Sequence, residues 1–247
     1  MSTTAPRAEI SRLFTDCLSQ SHLLIAGATG SGKSVFENGL IHAALYDSPA
    51  RRRFIMLDPK GTELDIYEPT PHCITYAHTP RECIQALETA RDIVTTRFNY
   101  MRDQHLRKYD GSHIYLIIDE LMYLLNAPDI KKDAYRLLMD LLTIARAASV
   151  HCIACTQNPT RDTLNPTIRC NFSARIALRT ATKQDSRNII DLPDCYSLPD
   201  PATTGTAYGY YRRGADTTLY KLPYVTDRQI MDIVNYWTSS TGRPRTA

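Results

Sequence analysis

His22-Leu23-Leu24-Ile25-Ala26-Gly27-Ala28-Thr29-Gly30-Ser31-Gly32-Lys33-Ser34 is the stretch that decides the fold. A short apolar run ends in a complete G-x-x-x-x-G-K-S, and a helical pattern opens behind it. Strand, glycine-rich turn and helix in that order make a nest of backbone N–H groups that closes around a phosphate. Gly27, Gly30 and Gly32 let the chain curl, Ala28, Thr29 and Ser31 fill the turn between them, and the helix starting near Lys33 adds its positive dipole end. Lys33 is the candidate cation for β- and γ-phosphate oxygens and the Ser34 hydroxyl the candidate Mg²⁺ ligand; the adjoining Val35 completes the candidate nucleotide-binding set.

Outward from this turn the same alternation continues. Apolar, β-rich runs fall at residues 54–58 (FIMLD), 73–77 (CITYA), 114–119 (IYLIID), 151–157 (HCIACTQ) and 172–179 (FSARIALR), separated by helical patterns. Short strands with few polar positions are covered on both faces, so the pattern predicts an α/β fold with a mostly parallel central sheet. Ile10, Leu13, Phe14, Cys17 and Leu18 mark a one-faced helix before the first strand. Thr79-Pro80-Arg81-Glu82 is a capping box with proline at the first helical position. The stripe Ile84, Leu87, Val94, Phe98, Met101 and His105 carries that helix to about Lys108, roughly 43 Å at about 1.5 Å per residue. A further helix is expected over 131–148, then a small hairpin turning at Arg213-Gly214 and a last helix over 227–237. Residues 1–247 read as a single domain.

The second chemical signal is the strand ending in Asp119, followed by Glu120. An acid at the carboxyl end of a parallel strand holds Mg²⁺ through water, and a carboxylate one residue on can polarise an attacking water. That pair points to a hydrolase rather than to a kinase acting on a metabolite. Gln157, at the end of the next strand, is the candidate for hydrogen-bonding the lytic water or the γ-phosphate.

Composition narrows the setting. With 29 basic and 26 acidic side chains among 247 residues the net charge is +3, too small to argue for nucleic acid, so any basic footprint must be local. At 43% hydrophobic the chain is neither disordered nor fibrous. The opening MSTTAPRAEISR lacks the apolar core of a signal peptide, and no run reaches the roughly 18 apolar residues of a membrane span. Seven scattered cysteines fit free thiols in a reducing cytoplasm. Cys152 and Cys155 form a C-x-x-C, but residues three apart on a strand face opposite ways, which favours core packing over metal. The seven histidines show no ligand spacing, and Tyr208, Tyr210 and Tyr211 read as hairpin packing rather than base stacking.

GATGSGKS after HLLIA, MLDPKGTEL, IDELMYLL and above all the run from Ala145 to Asp191 (ARAASVHCIACTQNPTRDTLNPTIRCNFSARIALRTATKQDSRNIID) resemble the FtsK/SpoIIIE family of DNA translocases over about residues 22–191. The resemblance implies a RecA-like motor that assembles as a homo-oligomeric, hexameric ring. Such a ring binds ATP and Mg²⁺ between neighbours and threads DNA, double-stranded more than single-stranded, through its channel. It implies that Arg146 is inserted into the adjacent subunit's site, where a guanidinium is worth about 10³–10⁵ in rate. Lys183 is implied as a second cation reaching the same phosphates. The loops after the fifth and sixth strands match the family's pore-lining segments, and Arg161, Arg169 and Arg187 in them become candidate DNA contacts through phosphate.

Three departures qualify the resemblance. Asn158 stands where the family has arginine, LPDCYSLPDPATT replaces a glycine-rich stretch, and neither a membrane anchor nor a winged-helix module is expected. The expectation is a bare motor from a mobile element, plasmid or phage, or one directed by a targeting partner. Alternatives are a conjugative coupling or viral packaging ATPase for single-stranded DNA, and a nucleotide-dependent secretion adaptor.

Overall fold

The computed structural model describes residues 11–157, 159, 160, 164 and 166–240. Its centre is one eight-stranded sheet in the order β3-β2-β4-β5-β1-β6-β7-β8. The strands are β1 (His22–Ala26), β2 (Arg52–Leu57), β3 (Cys73–Ala77), β4 (His113–Ile118), β5 (Val150–Thr156), β6 (Ala174–Leu178), β7 (Tyr208–Arg213) and β8 (Asp216–Lys221). The first six in sequence pair in parallel and β7 and β8 join antiparallel, giving the expected mixed sheet with its terminal hairpin.

Strand alternation divides the core into two layers. Leu24, Ala26, Ile55, Leu57, Leu116 and Ile118 face one layer, and Leu23, Ile25, Phe54, Met56, Tyr115 and Ile117 face the other. The first layer is covered by α3 (Pro80–Asp103), α4 (Leu121–Asn126), α5 (Lys131–Ile144), α6 (Pro166–Asn171) and α7 (Lys183–Ile190). The second is covered by α1 (Arg12–Ser19), α2 (Lys33–Ala44) and α9 (Asp227–Ser240); a short α8 (Pro201–Thr204) precedes the hairpin. Cys152 and Cys155 go to opposite layers and are buried, as their spacing predicts. No described helix is long and apolar enough to cross a membrane.

Three expectations change. The long helix ends at Asp103, about 36 Å from its start at about 1.5 Å per residue, not at Lys108. His105 takes a left-handed φ of 54° and the Leu106 N–H donates back to the Met101 carbonyl, which closes the helix one turn early. Its buried stripe is Cys83, Ala86, Leu87, Ala90, Val94, Arg97 and Met101, with His105 exposed. Second, α5 stops at Ile144, and residues 145–149 form a tight turn. Third, the segments around Arg169 and after the sixth strand, read as loops, are helices α6 and α7.

Candidate active site

Parallel strands place their carboxyl ends side by side, and the candidate residues gather at that edge. After β1, Ala28 donates its N–H to the Arg179 carbonyl (2.8 Å) and Gly27 to the Thr156 carbonyl (3.3 Å), which moors the turn to its two neighbouring strands. A side chain at Gly27 would stand 2.7 Å from Leu178 Cβ and from Ser31 Oγ, so only glycine fits there. Gly32 has φ 93° and caps α2 in the left-handed region, where L side chains rarely sit. The first turn of α2 then presents unpaired N–H groups toward the cleft. Val35 is exposed beside them.

Lys33 is buried, with Nζ 3.6 Å from Oδ1 of Asp119, which is wholly buried at the end of β4. Neither Asp119 oxygen has a hydrogen-bond partner among the described residues, nor has Lys33 Nζ. Burial works against the Lys33 charge, but Cys155 and the carboxylates of Asp119, Glu37 and Glu120 outweigh it and raise its pKa. A buried carboxylate in ion-pair contact only, with Ser34 Oγ in the same cleft, fits a divalent ion brought in with phosphates. Glu120 caps α4, accepting from the Met122 N–H at 3.4 Å. Burial raises its pKa against the opposing pull of Lys33 and Lys60, as suits a base. Gln157 follows β5, and its Oε1 accepts from Thr29 Oγ1 at 3.1 Å, which ties β5 to the glycine-rich turn.

Three further groups enter the cleft that sequence reading did not assign. Lys60 Nζ lies 3.7 Å from Asp119 Oδ2, and Glu63 Oε1 accepts from Ser34 Oγ at 3.1 Å. Glu37 sits one turn beyond Lys33 on α2, fully buried, with the Cys155 thiol as its hydrogen-bonding neighbour. Burial, then Asp119, pushes its pKa up to about 8. DPKGTEL was the available signal for the first two, and a glutamate inside an otherwise apolar helical face was the signal for the third.

A cavity of about 210 Å³ opens on the opposite side of the P-loop from Asp119. Gly32, Val35 and Phe36 line it from α2, and Ala207, Leu222 and Tyr224 from the segments flanking the hairpin.

The remaining candidates sit elsewhere. Arg146 is exposed in the turn between α5 and β5, at the amino end of the sheet and away from its own P-loop. Lys183 is exposed at the first position of α7. Arg169 is engaged: its Nη1 donates to the carbonyls of Arg187 and Asn188 and pairs with Asp191 at 2.9 Å, capping the end of α7. Arg187 is exposed beside it, and both line a cavity of about 390 Å³ with Gln184. Arg161 and Asn158 lie outside the described residues. Tyr211 packs in the core with its hydroxyl donating to Asp16 at 2.6 Å, while Tyr208 and Tyr210 lie against the other layer.

Strand order, glycine-rich turn and acidic pair together define a RecA-like P-loop α/β protein. The chain belongs to the FtsK/SpoIIIE family, whose profile matches residues 7–195. It is 36% identical over 198 residues to the DNA translocase FtsK of Caldanaerobacter subterraneus subsp. tengcongensis, covering 75% of this chain and 28% of that protein. It is 31% identical over 241 residues to the FtsK of Helicobacter pylori strain 26695, covering 90% of this chain and 27% of that one. The chain therefore spans little more than a quarter of these relatives. Among solved structures, the conjugation coupling protein TcpA of pCW3 superposes with a TM-score of 0.76 at 21% identity, covering 90% of this chain and 66% of that one. The type VII secretion ATPase EccC of Thermomonospora curvata gives 0.73 at 23%, covering 88% and 28%. At these identities the likeness is one of fold.

Proposed function

We propose that this chain is an ATP-hydrolysing DNA translocase motor: a cytoplasmic ring, hexameric by the family resemblance, that moves double-stranded DNA through its channel. The observation that carries the reading is the meeting of Lys33 and Asp119 at 3.6 Å, with Glu120 one residue on and Gln157 bridging to Thr29, in a protein of this family.

Triphosphate binding fits Gly27, Ala28, Thr29, Gly30, Ser31, Gly32, Lys33 and Ser34, with the adenosine end directed past Val35 into the 210 Å³ cavity. That direction follows from strand order: β4 and β5, which carry the acids and the amide, lie on one side of β1, and β6 to β8 lie on the other. Ser34 and Asp119 would hold Mg²⁺, which would supply neutralisation of β- and γ-phosphate charge. Lys33 exchanges its Asp119 partner for phosphate oxygens. Glu120 takes the proton of the attacking water, Gln157 orients that water, and Arg146 and Lys183 of a neighbouring copy neutralise charge on the transferred group. Loss of the γ-phosphate releases those cations and shifts the segments bearing Arg161, Arg169 and Arg187 along the DNA backbone.

ATP turnover with and without duplex DNA tests the reading. The expected result is several-fold stimulation by DNA and loss of turnover in Lys33→Ala. Hydrolysis that ignores DNA rules the motor out, and strand preference in a displacement assay decides between duplex and single-stranded cargo.

A further inference from the structure

The segment after β2 is built to hold two charged side chains still at their base. Asp58 is wholly buried, and its carboxylate collects four backbone N–H groups. Oδ1 accepts from Lys60 (3.2 Å) and Gly61 (2.9 Å), and Oδ2 from Glu63 and Leu64 (2.9 Å each). Gly61 takes the left-handed φ of 68° that this tight turn requires. The Asp58 N–H is itself bonded to the Ala77 carbonyl of β3 (2.8 Å), and the Asp119 N–H to the Leu57 carbonyl of β2 (3.0 Å). The turn and Asp119 are thus parts of one framework.

From that framework the two charged side chains reach the two groups assigned to the metal, Lys60 to Asp119 and Glu63 to Ser34. Asp119 is held between two lysines, Lys33 at one oxygen and Lys60 at the other. The Lys60 side chain is 43% exposed while Asp119 is wholly buried, so the lysine has room on its solvent side to move to a new partner. Strand order β2-β4-β5-β1 brings Lys60 in from the side opposite the P-loop strand. A phosphate within its reach is therefore the one farthest from the glycine-rich nest.

We propose that Lys60 is a second phosphate-binding cation of this site, parked on Asp119 until a triphosphate arrives and then transferred to its terminal phosphate, and that Glu63 is a positioning residue that accepts the hydrogen bond of the Ser34 hydroxyl and so leaves the oxygen lone pairs of Ser34 available to a metal ion. The inference rests on the nucleotide-hydrolase reading above. A terminal phosphate flanked by Lys33 and Lys60 meets cations from two sides, the arrangement that favours binding a triphosphate over a diphosphate.

Equilibrium binding of a fluorescent non-hydrolysable ATP analogue and of fluorescent ADP, at controlled Mg²⁺, tests it without reference to turnover. Lys60→Met should weaken the triphosphate analogue by about tenfold or more, the size of one charge-assisted hydrogen bond, and leave ADP affinity within about twofold. Lys60→Arg should restore most of the difference. Glu63→Gln should raise, severalfold, the Mg²⁺ concentration needed for half-maximal analogue binding. Thermal melts of each variant check that substitution at exposed Lys60 and at half-buried Glu63 leaves the fold intact. Equal losses for both nucleotides, or no loss for either, overturn the Lys60 role, and an unmoved Mg²⁺ midpoint overturns that of Glu63. If Lys33→Ala binds both nucleotides at full strength, the fault lies with the nucleotide site itself and not with Lys60.

Discussion

Glu120 and Glu37 both act on the charge of Lys33, and burial raises the pKa of each. Burial raises the pKa of Glu120 above its ordinary 4.5, so the residue loses its ability to accept a proton at a pH where an exposed carboxylate would keep it. The acid limb of kcat should therefore lie above the ordinary carboxylate range, with activity rising as pH rises through it. Glu120→Gln should lower kcat by about 10²–10⁴ and abolish that limb while nucleotide still binds; kcat against pH for both proteins measures it. Glu37 is fully buried with the Cys155 thiol as its hydrogen-bonding neighbour, and burial, then Asp119, raises its pKa to about 8. A folded-state value above the unfolded one means that its contribution to stability is whole below pH 4.5 and is lost as pH rises through about 8. Glu37→Gln stays neutral throughout, so denaturant unfolding without nucleotide should show the variant gaining on the parent between pH 5 and 8. At about 1.4 kcal/mol per pKa unit the gain is measurable, and parallel curves would dismiss it. Gly27 to Ser34, Asp119 and Glu120 were legible in the sequence because each motif is local. Lys60 and Glu63 were passed over although DPKGTEL is part of the family resemblance, because their approach to Asp119 and Ser34 joins segments distant in the chain, and Glu37 was passed over because a single acid on an apolar helix does not announce its burial.

At the scale of elements, the same limit decides which helices were visible. A capping box and an apolar stripe announced α3, but its last turn was misjudged because Met101 and His105 keep helical spacing while the backbone at His105 has already turned left-handed. The α7 segment hides for a different reason. Thr182 and Asp185 form a capping box, yet only Ile189 and Ile190 are apolar in the helix, too few for a visible period. Its far end depends on tertiary partners. Asp191, at φ 65°, ends α7, and Arg169 (2.9 Å), Arg212 (3.4 Å) and Arg175 (3.7 Å) converge on its carboxylate. Arg175 and Arg212 also donate to the carbonyls of Ile189 and Ile190, at the negative end of the helix dipole. Asp191→Asn tolerates the left-handed backbone and removes only the charge. It should cost about 1 kcal/mol at low salt, since the carboxylate is 46% exposed, and the difference should shrink as salt rises. Unfolding free energies at two ionic strengths measure this. A loss that ignores salt would assign the role of Asp191 to hydrogen bonding instead.

Across the whole molecule, the two ends of the sheet divide the labour. Phosphate turn, acids and amide occupy the carboxyl ends of β1, β4 and β5, whereas Arg146 stands at the amino end of β5. That strand has seven residues at about 3.3 Å each, a separation on the order of 20 Å that no arginine side chain spans. Arg146 is also held firmly at its base. The Val150 N–H reaches back to the Ala145 carbonyl, and buried Arg97 donates to the carbonyls of Ala148 and Ser149 while lying 4.1 Å over the Tyr109 ring. An exposed cation on a rigid corner, too far from its own cleft, can serve catalysis only in another copy's cleft. Arg146→Ala and Lys33→Ala should each abolish turnover alone, and for complementary reasons. In an equal mixture a seam that joins the Arg146→Ala subunit's P-loop to the Lys33→Ala subunit's arginine is intact. Random assembly makes up to about one seam in four of that kind, so turnover should reappear on mixing and follow the product of the two fractions. Full activity of Arg146→Ala alone, or a mixture that stays inactive although sizing shows mixed oligomers, would refute the shared site.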